Sequence, residues 1–255
     1  MSVTTQKPAG RAPAGPRPYH PTVARLTRRA LLGRRRALLL LALPALLLLI
    51  AALIRIQAGV DDRAAVEILN GFALAAMVPL IGVIAGTGAI APEIDDGSIA
   101  HLLATPVRRS TIILTKLVVA VGVTLLFTVP SILIAGVLLN ENNRQVAVAF
   151  ATAAAVASVA YGAIFLMLGV ISRNAVVIGL IYALVWEALF GQLVPGAQTL
   201  SVQQWSLSIA QRIAEGGTVT SEVSLGVGVT LLCVTTAGAT WYAMRRLRSL
   251  TMTGD

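Results

Sequence analysis

Residues 92–116 read PEIDDGSIAHLLATPVRRSTIILTK, a charged, motif-like interruption in an otherwise oily chain. Apolar runs flank it at 68–90 and 112–139. A helix needs about 20 apolar residues to cross a hydrocarbon core, so the stretch reads as a hinge between two membrane spans. A charged hinge of this kind is where a soluble partner can push on a membrane protein.

The rest of the chain agrees. Of its 255 residues, 56% are hydrophobic and 12% charged, with a mean hydropathy of +0.82. Soluble domains carry about 25% charged residues, so the composition is that of an integral membrane protein. The net charge of +9 would suggest nucleic acid in a soluble protein, but the basic residues crowd beside apolar runs, as membrane topology requires. No nucleic-acid partner is expected. Cys233 is the single cysteine, which excludes an intrachain disulfide and a cysteine metal cluster.

Six runs are long enough to span: 37–54, 68–90, 112–139, 146–171, 175–194 and 223–244. The expected fold is all-α and polytopic, with one permease domain over 25–248. Pro44, Pro79 and Pro130 fall inside spans, where they kink helices rather than end them. Residues 1–24, rich in Pro, Ala, Gly and Arg, read as a disordered tail, and 249–255 as a second tail. Between 25 and 36, apolar Leu26, Ala30 and Leu31 alternate at helical spacing with Arg25, Arg28, Arg29, Arg34, Arg35 and Arg36, as in an interfacial helix on anionic lipid. Arg34, Arg35 and Arg36 are its membrane anchors. The Arg28-Arg29 pair also resembles a twin-arginine export signal, but five further spans follow and there is no folded passenger to export.

Orientation follows from the basic residues in alternate connectors. With the N-terminus inside, Lys7, Arg11, Arg17, Arg25, Arg28, Arg29, Arg34, Arg35, Arg36, Arg108, Arg109, Lys116, Arg173, Arg245, Arg246 and Arg248 lie on the cytoplasmic side. Arg55, Arg63, Arg144 and Arg212 lie outside, sixteen against four. Both termini are expected in the cytoplasm of a multi-pass protein of the cell inner membrane, with 92–116 on the inner face.

The outer connector at 195–222 places Val202, Trp205, Ile209 and Ile213 near one helical face. It reads as an amphipathic helix at the outer surface, anchored at headgroup level by Trp205. An ordinary loop helix and a cap over the exit of a pathway fit equally.

Absences narrow the function. A P-loop needs a Gly-Lys pair to cradle phosphates, but Lys7 follows Gln6 and Lys116 follows Thr115. No HExxH motif exists, and the two histidines are His20 and His101. No catalytic pair is legible, so the chain is not expected to be an enzyme or to hold a metal or cofactor of its own. Glu187 is the one acid well inside a span. A charge there costs about 2.5–3.5 kcal/mol at a helix centre, which pairing with a group such as Arg212 would relieve. Glu187, Trp205 and Arg212 are the candidate pathway or outer-gate residues; Glu187 either locks span five to the connector or serves a carrier. Gly82 and Gly86 form a small-xxx-small pair for close helix packing, within the bundle or across a dimer.

Within the opening stretch, Glu93, Asp95 and Asp96 meet the membrane surface. Asp96 or Ser98 can cap a short helix, and Gly97 frees the turn. Thr105 and Pro106 form a second helix start, with Arg108 and Arg109 projecting before span three. The result is a helix-break-helix elbow. Lys116, at the head of the span, reads as a snorkelling anchor.

These residues resemble the membrane subunit of bacterial type-two ATP-binding-cassette exporters. In that family an acidic loop, E-x-D/E-x-G-S/T, leads through a leucine turn to Pro-Val/Ile-x-Arg and a lysine heading the third span. The matching positions are Glu93, Asp95, Asp96, Gly97, Ser98, Leu102, Leu103, Pro106, Val107, Arg109 and Lys116. Trp186-Glu187, Pro195-Gly196 and Leu200-Ser201-Val202 resemble a subset of the family. Pro92 stands where many relatives carry a basic residue.

The resemblance implies a separate cytoplasmic ATPase, two copies of which bind ATP and Mg and engage a pair of permeases, as a homodimer or heterodimer. It also implies that Glu93, Asp95, Asp96, Gly97, Ser98, Thr105, Pro106, Arg108 and Arg109 couple to that ATPase. The expected function is export, with a drug or lipid suiting an apolar pathway. A non-transporting anchor of the same fold and a secondary carrier using Glu187 are the alternatives.

Overall fold

A computed structural model describes residues 20–59, 62–95, 109–139, 144–191, 196–214 and 219–249. Every regular element among them is helical. In chain order these are α1 (Pro21–Leu31), α2 (Arg34–Ala58), α3 (Asp62–Ile68), a π-helical segment (Leu69–Met77), α4 (Val78–Gly88), α5 (Ala91–Asp95), α6 (Arg109–Leu139), α7 (Arg144–Ile171), α8 (Ala175–Ile181), a second π-helical segment (Tyr182–Phe190), a 3-10 turn (Gln198–Leu200), α9 (Val202–Ile213) and α10 (Leu225–Ser249).

Among the described residues five helices are long and apolar enough to cross a membrane: α2, the continuous stretch Arg63–Ile94 that joins α3 to α5, α6, α7 and α10. The run expected to span at 175–194 departs from this. Its helix covers Ala175–Phe190, is shorter than the other five and ends in a π segment, Tyr182–Phe190; residues 192–194 of the expected run lie outside the described residues.

The N-terminal end also differs from expectation. The helix expected at 25–36 starts at Pro21 and ends at Leu31. Proline at the first helical position has its φ already set, so residues 21–24 form the first turn instead of the end of a disordered tail. Gly33 breaks the chain with φ −56 and ψ 144, and Arg34 opens α2; Arg34, Arg35 and Arg36 therefore begin a span rather than end an interfacial helix. Val23, Ala24, Thr27 and Leu31 are buried where α1 packs on α4 and α6, and Arg25, Arg28 and Arg29 face outward. Residues 1–19 and 250–255, read as tails, lie outside the described residues.

The bundle is built around α7. Its alanines at 147, 149, 151, 153, 154, 157, 160 and 163 are buried, and α4, α6, α9 and α10 all pack against it. Small side chains let backbones approach, which is how membrane helices associate when water supplies no driving force between them. A Cβ on Gly136 would meet Ala147 Cβ at 2.6 Å, and one on Gly86 would meet Phe165 Cβ at 2.7 Å. Central and peripheral helices separate accordingly: the best apolar windows of Arg63–Ile94 and α7 are each 61% buried, and those of α2 and α10 are 22% and 28% buried. Leu38, Leu39, Leu46, Leu49 and Leu53 of α2 form an exposed apolar face suited to lipid.

Some buried hydroxyls are satisfied within their own helices. This holds for three in the central spans: Thr87 Oγ1 donates to Val83 O, Thr124 Oγ1 to Ala120 O and Ser158 Oγ to Ala154 O, so these three need no partner across the bundle. Pro44 and Pro130 lie inside α2 and α6. Pro79 explains the first π segment. Proline has no N–H to give and its ring crowds the carbonyl four residues back; directly before it the Val78 N–H reaches five residues back to Ala73 O, the wider π spacing.

Candidate functional site: two polar junctions at opposite ends of span two

The first junction joins the end of span two to the head of span three. The chain turns at Ala89 and Ile90 and resumes as α5, whose Glu93 faces α6. Lys116 Nζ donates to Glu93 Oε1 at 2.6 Å and to Ala89 O at 2.6 Å. Its side chain is fully buried, and that of Glu93 is 26% exposed. This departs from the snorkelling expected of Lys116. A carboxylate and a carbonyl at the end of the neighbouring helix supply acceptors inside the protein, so the ammonium does not need to reach the headgroups.

Contacts from three further residues gather there. Arg36 Nη1 lies 3.4 Å from Gly88 O and 3.5 Å from Ala30 O, linking α2 to the ends of α4 and α1. The His20 N–H donates to Thr115 Oγ1 at 3.1 Å. Arg109, expected to project before span three, opens α6 and its Nη1 donates to Leu247 O at 3.4 Å, tying span three to the end of α10. Asp95 closes α5. Asp96, Gly97, Ser98, Thr105, Pro106 and Arg108, and with them the elbow, lie outside the described residues.

The second junction is built on Glu187. Its side chain is fully buried in the second π segment. Tyr182 Oη donates to Oε1 at 2.7 Å, Ser201 Oγ to Oε2 at 2.5 Å, the Val202 N–H to Oε1 at 3.1 Å and the Gln203 N–H to Oε2 at 3.4 Å. The carboxylate therefore caps the N-terminus of α9, where orphan amides and the helix dipole favour negative charge. Arg212 is not its partner. It lies in the last turn of α9, about 15 Å along the axis from the capped end at 1.5 Å per residue, near Gln211, Ser221 and Ser224.

Gln203 extends the network. Its Nε2 donates to Asn70 Oδ1 at 2.7 Å and to Asn70 O at 3.3 Å, so α9 also binds the first π segment. Both π segments thus carry a polar residue to one helix terminus. Asn70 was not anticipated, although an amide inside an apolar run is a signal in itself, since it must find a partner. Tyr161, stacked on Phe165 at 5.9 Å between ring centroids, is buried alongside.

α9 is not a surface helix. Val202, Gln203, Gln204, Trp205, Ser206, Leu207, Ser208 and Ala210 are all buried, and the helix packs between α7 and α10. Trp205 is 6% exposed and its Nε1 donates to Thr199 O at 2.7 Å, so its ring packs inside the protein. Gly82 and Gly86 resolve as packing within the bundle: a Cβ on Gly82 would lie 3.1 Å from Tyr161 Cβ.

These features define a helical, multi-pass membrane protein whose described polar side-chain links between helices concentrate at the two ends of its central spans. A family profile described as ABC-2 family transporter protein matches residues 34–214. The chain belongs to that family, and membership makes it a membrane component of an ATP-binding-cassette transporter that partners an ATP-binding subunit. The match covers α2 to α9; α1 and α10 fall outside it. No curated protein sequence matches the chain.

Proposed function

We propose that the chain is the transmembrane subunit of an exporter in the cell inner membrane, with both termini cytoplasmic, and that it forms the substrate pathway as a homodimer or heterodimer. Two copies of a separate ATPase bind ATP and Mg and carry out hydrolysis, and this chain performs no catalysis. A drug or lipid suits the apolar surroundings of the spans.

Six crossings are part of this reading, and the path of Ala175–Phe190 supports the sixth. Its Gly179 packs on Val83 and Phe165, after α7 has ended where Gly169 meets Thr87 and Ile90. Glu187 then reaches the Asn70 end through Gln203. The helix thus connects opposite ends of span two, although it is short. A thinned bilayer accommodates a short span at a cost of fractions of a kcal/mol per Å.

The observation that carries the coupling is the Lys116 junction. The segment that leads into the elbow is fixed through Glu93 and Ala89 O to the heads of spans two and three. A push on the elbow is passed to two central helices at once. Glu187 supports export over a carrier, because both its oxygens are occupied by four protein donors and none is left to bind a cargo.

The test is the pair Arg108→Glu with Arg109→Glu, co-expressed with the partner ATPase and reconstituted in vesicles. The double variant inserts in the membrane but loses co-purification of the ATPase or ATP-driven export of a labelled drug or lipid. Unchanged co-purification together with unchanged ATP-driven export overturns the reading.

A further inference from the structure

We infer that the Asn70–Gln203 hydrogen bond is the latch of an outer gate formed by α9, held shut by span two and released when the inner end of that span is moved. The inference rests on the ATP-driven reading above and names the contact by which its outer end would open.

α9 has two polar tethers at its N-terminus. The first is the Glu187 carboxylate with its four donors. Hydrogen bonds to an ionised acceptor are roughly twice as strong as neutral ones, and several converge on this carboxylate, so α9 and the second π segment move as one body. The second tether is the neutral amide pair of Gln203 and Asn70. It is the weaker of the two, and it joins that body to a different span.

Span two is built to work this contact. Asn70 lies at the start of the first π segment, and Pro79 leaves the backbone ladder open beyond it. Interrupted ladders of this type are where helices bend. Inward of the bend, Gly82 and Gly86 present a flat seam to Tyr161 and Phe165 of α7, a surface over which a packed helix can shear by small displacements. Inward again, Lys116 holds Ala89 O and Glu93. A displacement at Glu93, passed to Ala89 through Lys116, therefore has a continuous route along span two to Asn70, about 28 Å from Ala89 at 1.5 Å per residue.

The experiment reads exposure of α9 from outside. Ser206, fully buried on α9, is replaced by Cys in a Cys233→Ser background. Its labelling by a membrane-impermeant, sulfonate-bearing methanethiosulfonate reagent is then followed in vesicles containing the full transporter. Asn70→Ala, which removes the Oδ1 acceptor and leaves Asn70 O, raises the labelling rate about fivefold, the population shift that loss of one neutral hydrogen bond produces; Gln203→Ala, which removes both bonds, raises it at least as much. The two together raise it no further than Gln203→Ala alone, because that variant has already removed every bond Asn70 accepts from Gln203. A Ser158→Cys control, buried in α7, labels at an unchanged rate.

Unaltered labelling in Asn70→Ala, additive effects of the two variants, or faster labelling at Ser158→Cys as well overturns the latch. ATP with vanadate raises labelling at Ser206→Cys in the otherwise native transporter. If nucleotide has no effect while Asn70→Ala still does, the latch stands and the ATP-driven reading falls.

Discussion

Lys116 Nζ and Glu93 Oε1 are 2.6 Å apart, and the same ammonium bonds Ala89 O. The pair is lopsided. Lys116 is fully buried and Glu93 keeps a quarter of its side chain exposed, so the two charges do not suffer equally when the other is removed.

Deleting the acid is the more damaging change. Glu93→Ala leaves a buried ammonium with a single carbonyl, and breaking a buried ion pair from one side costs about 3–5 kcal/mol. Lys116→Met leaves the carboxylate of a partly exposed side chain, fills the volume of the lysine stem and costs about 1–2 kcal/mol less. Thermal unfolding in detergent should place Glu93→Ala below Lys116→Met, and the double variant above Glu93→Ala. A Glu93→Ala protein as stable as Lys116→Met shows that the ammonium finds other acceptors.

The glycine seam makes a graded prediction. A Cβ at position 86 would sit 2.7 Å from Phe165 Cβ and 3.1 Å from the Leu166 backbone N, whereas one at position 82 would sit 3.1 Å from Tyr161 Cβ. A Cβ is fixed by the backbone and cannot rotate away. Gly86→Ala should destabilise by about 1–3 kcal/mol, the usual range for overpacking, and Gly82→Ala by less. Gly122, with open space around its Cβ position, supplies the contrast: Gly122→Ala should be neutral or stabilising by up to about 1 kcal/mol. Unfolding midpoints of the three variants check the order.

The spans were legible because hydropathy depends on composition alone: an apolar run such as 112–139 can do little else but cross. What composition does not encode is how a run is wound, so the π segments at 69–77 and 182–190 and the shortened helix after Ala175 were invisible. Glycine spacing revealed that Gly82 and Gly86 pack closely, but not that Phe165 receives them. Lys116 shows the same limit more sharply. Its place at the head of a span suggested headgroups, and only the fold brings Glu93, 23 positions away, within reach. Glu187 was found by its charge, but its partners sit at the start of α9 and not at Arg212 at the other end.

That arrangement at Glu187 sets the last prediction. Glutamine has the size of glutamate but offers one acceptor oxygen and an NH2 group in place of two acceptors. In Glu187→Gln the NH2 must face either Tyr182 Oη and the Val202 N–H or Ser201 Oγ and the Gln203 N–H. Each hydroxyl can rotate to accept, but neither backbone amide can, so one N–H of α9 is left opposed by a donor. The favourable interaction of the carboxylate with the helix dipole is lost as well. Together these should cost about 2–4 kcal/mol, from hydrogen bonds to a charged group at about 1.5–3 kcal/mol plus the dipole contribution. Glu187→Asp, one methylene short, should fare no better. The decisive comparison is with Arg212→Ala, which removes a charge from the last turn of α9 and touches none of these bonds. It should keep the unfolding midpoint within about 0.5 kcal/mol of the native value, as surface substitutions do. A Glu187→Gln protein of native stability whose export is abolished would instead assign the carboxylate to the transported species.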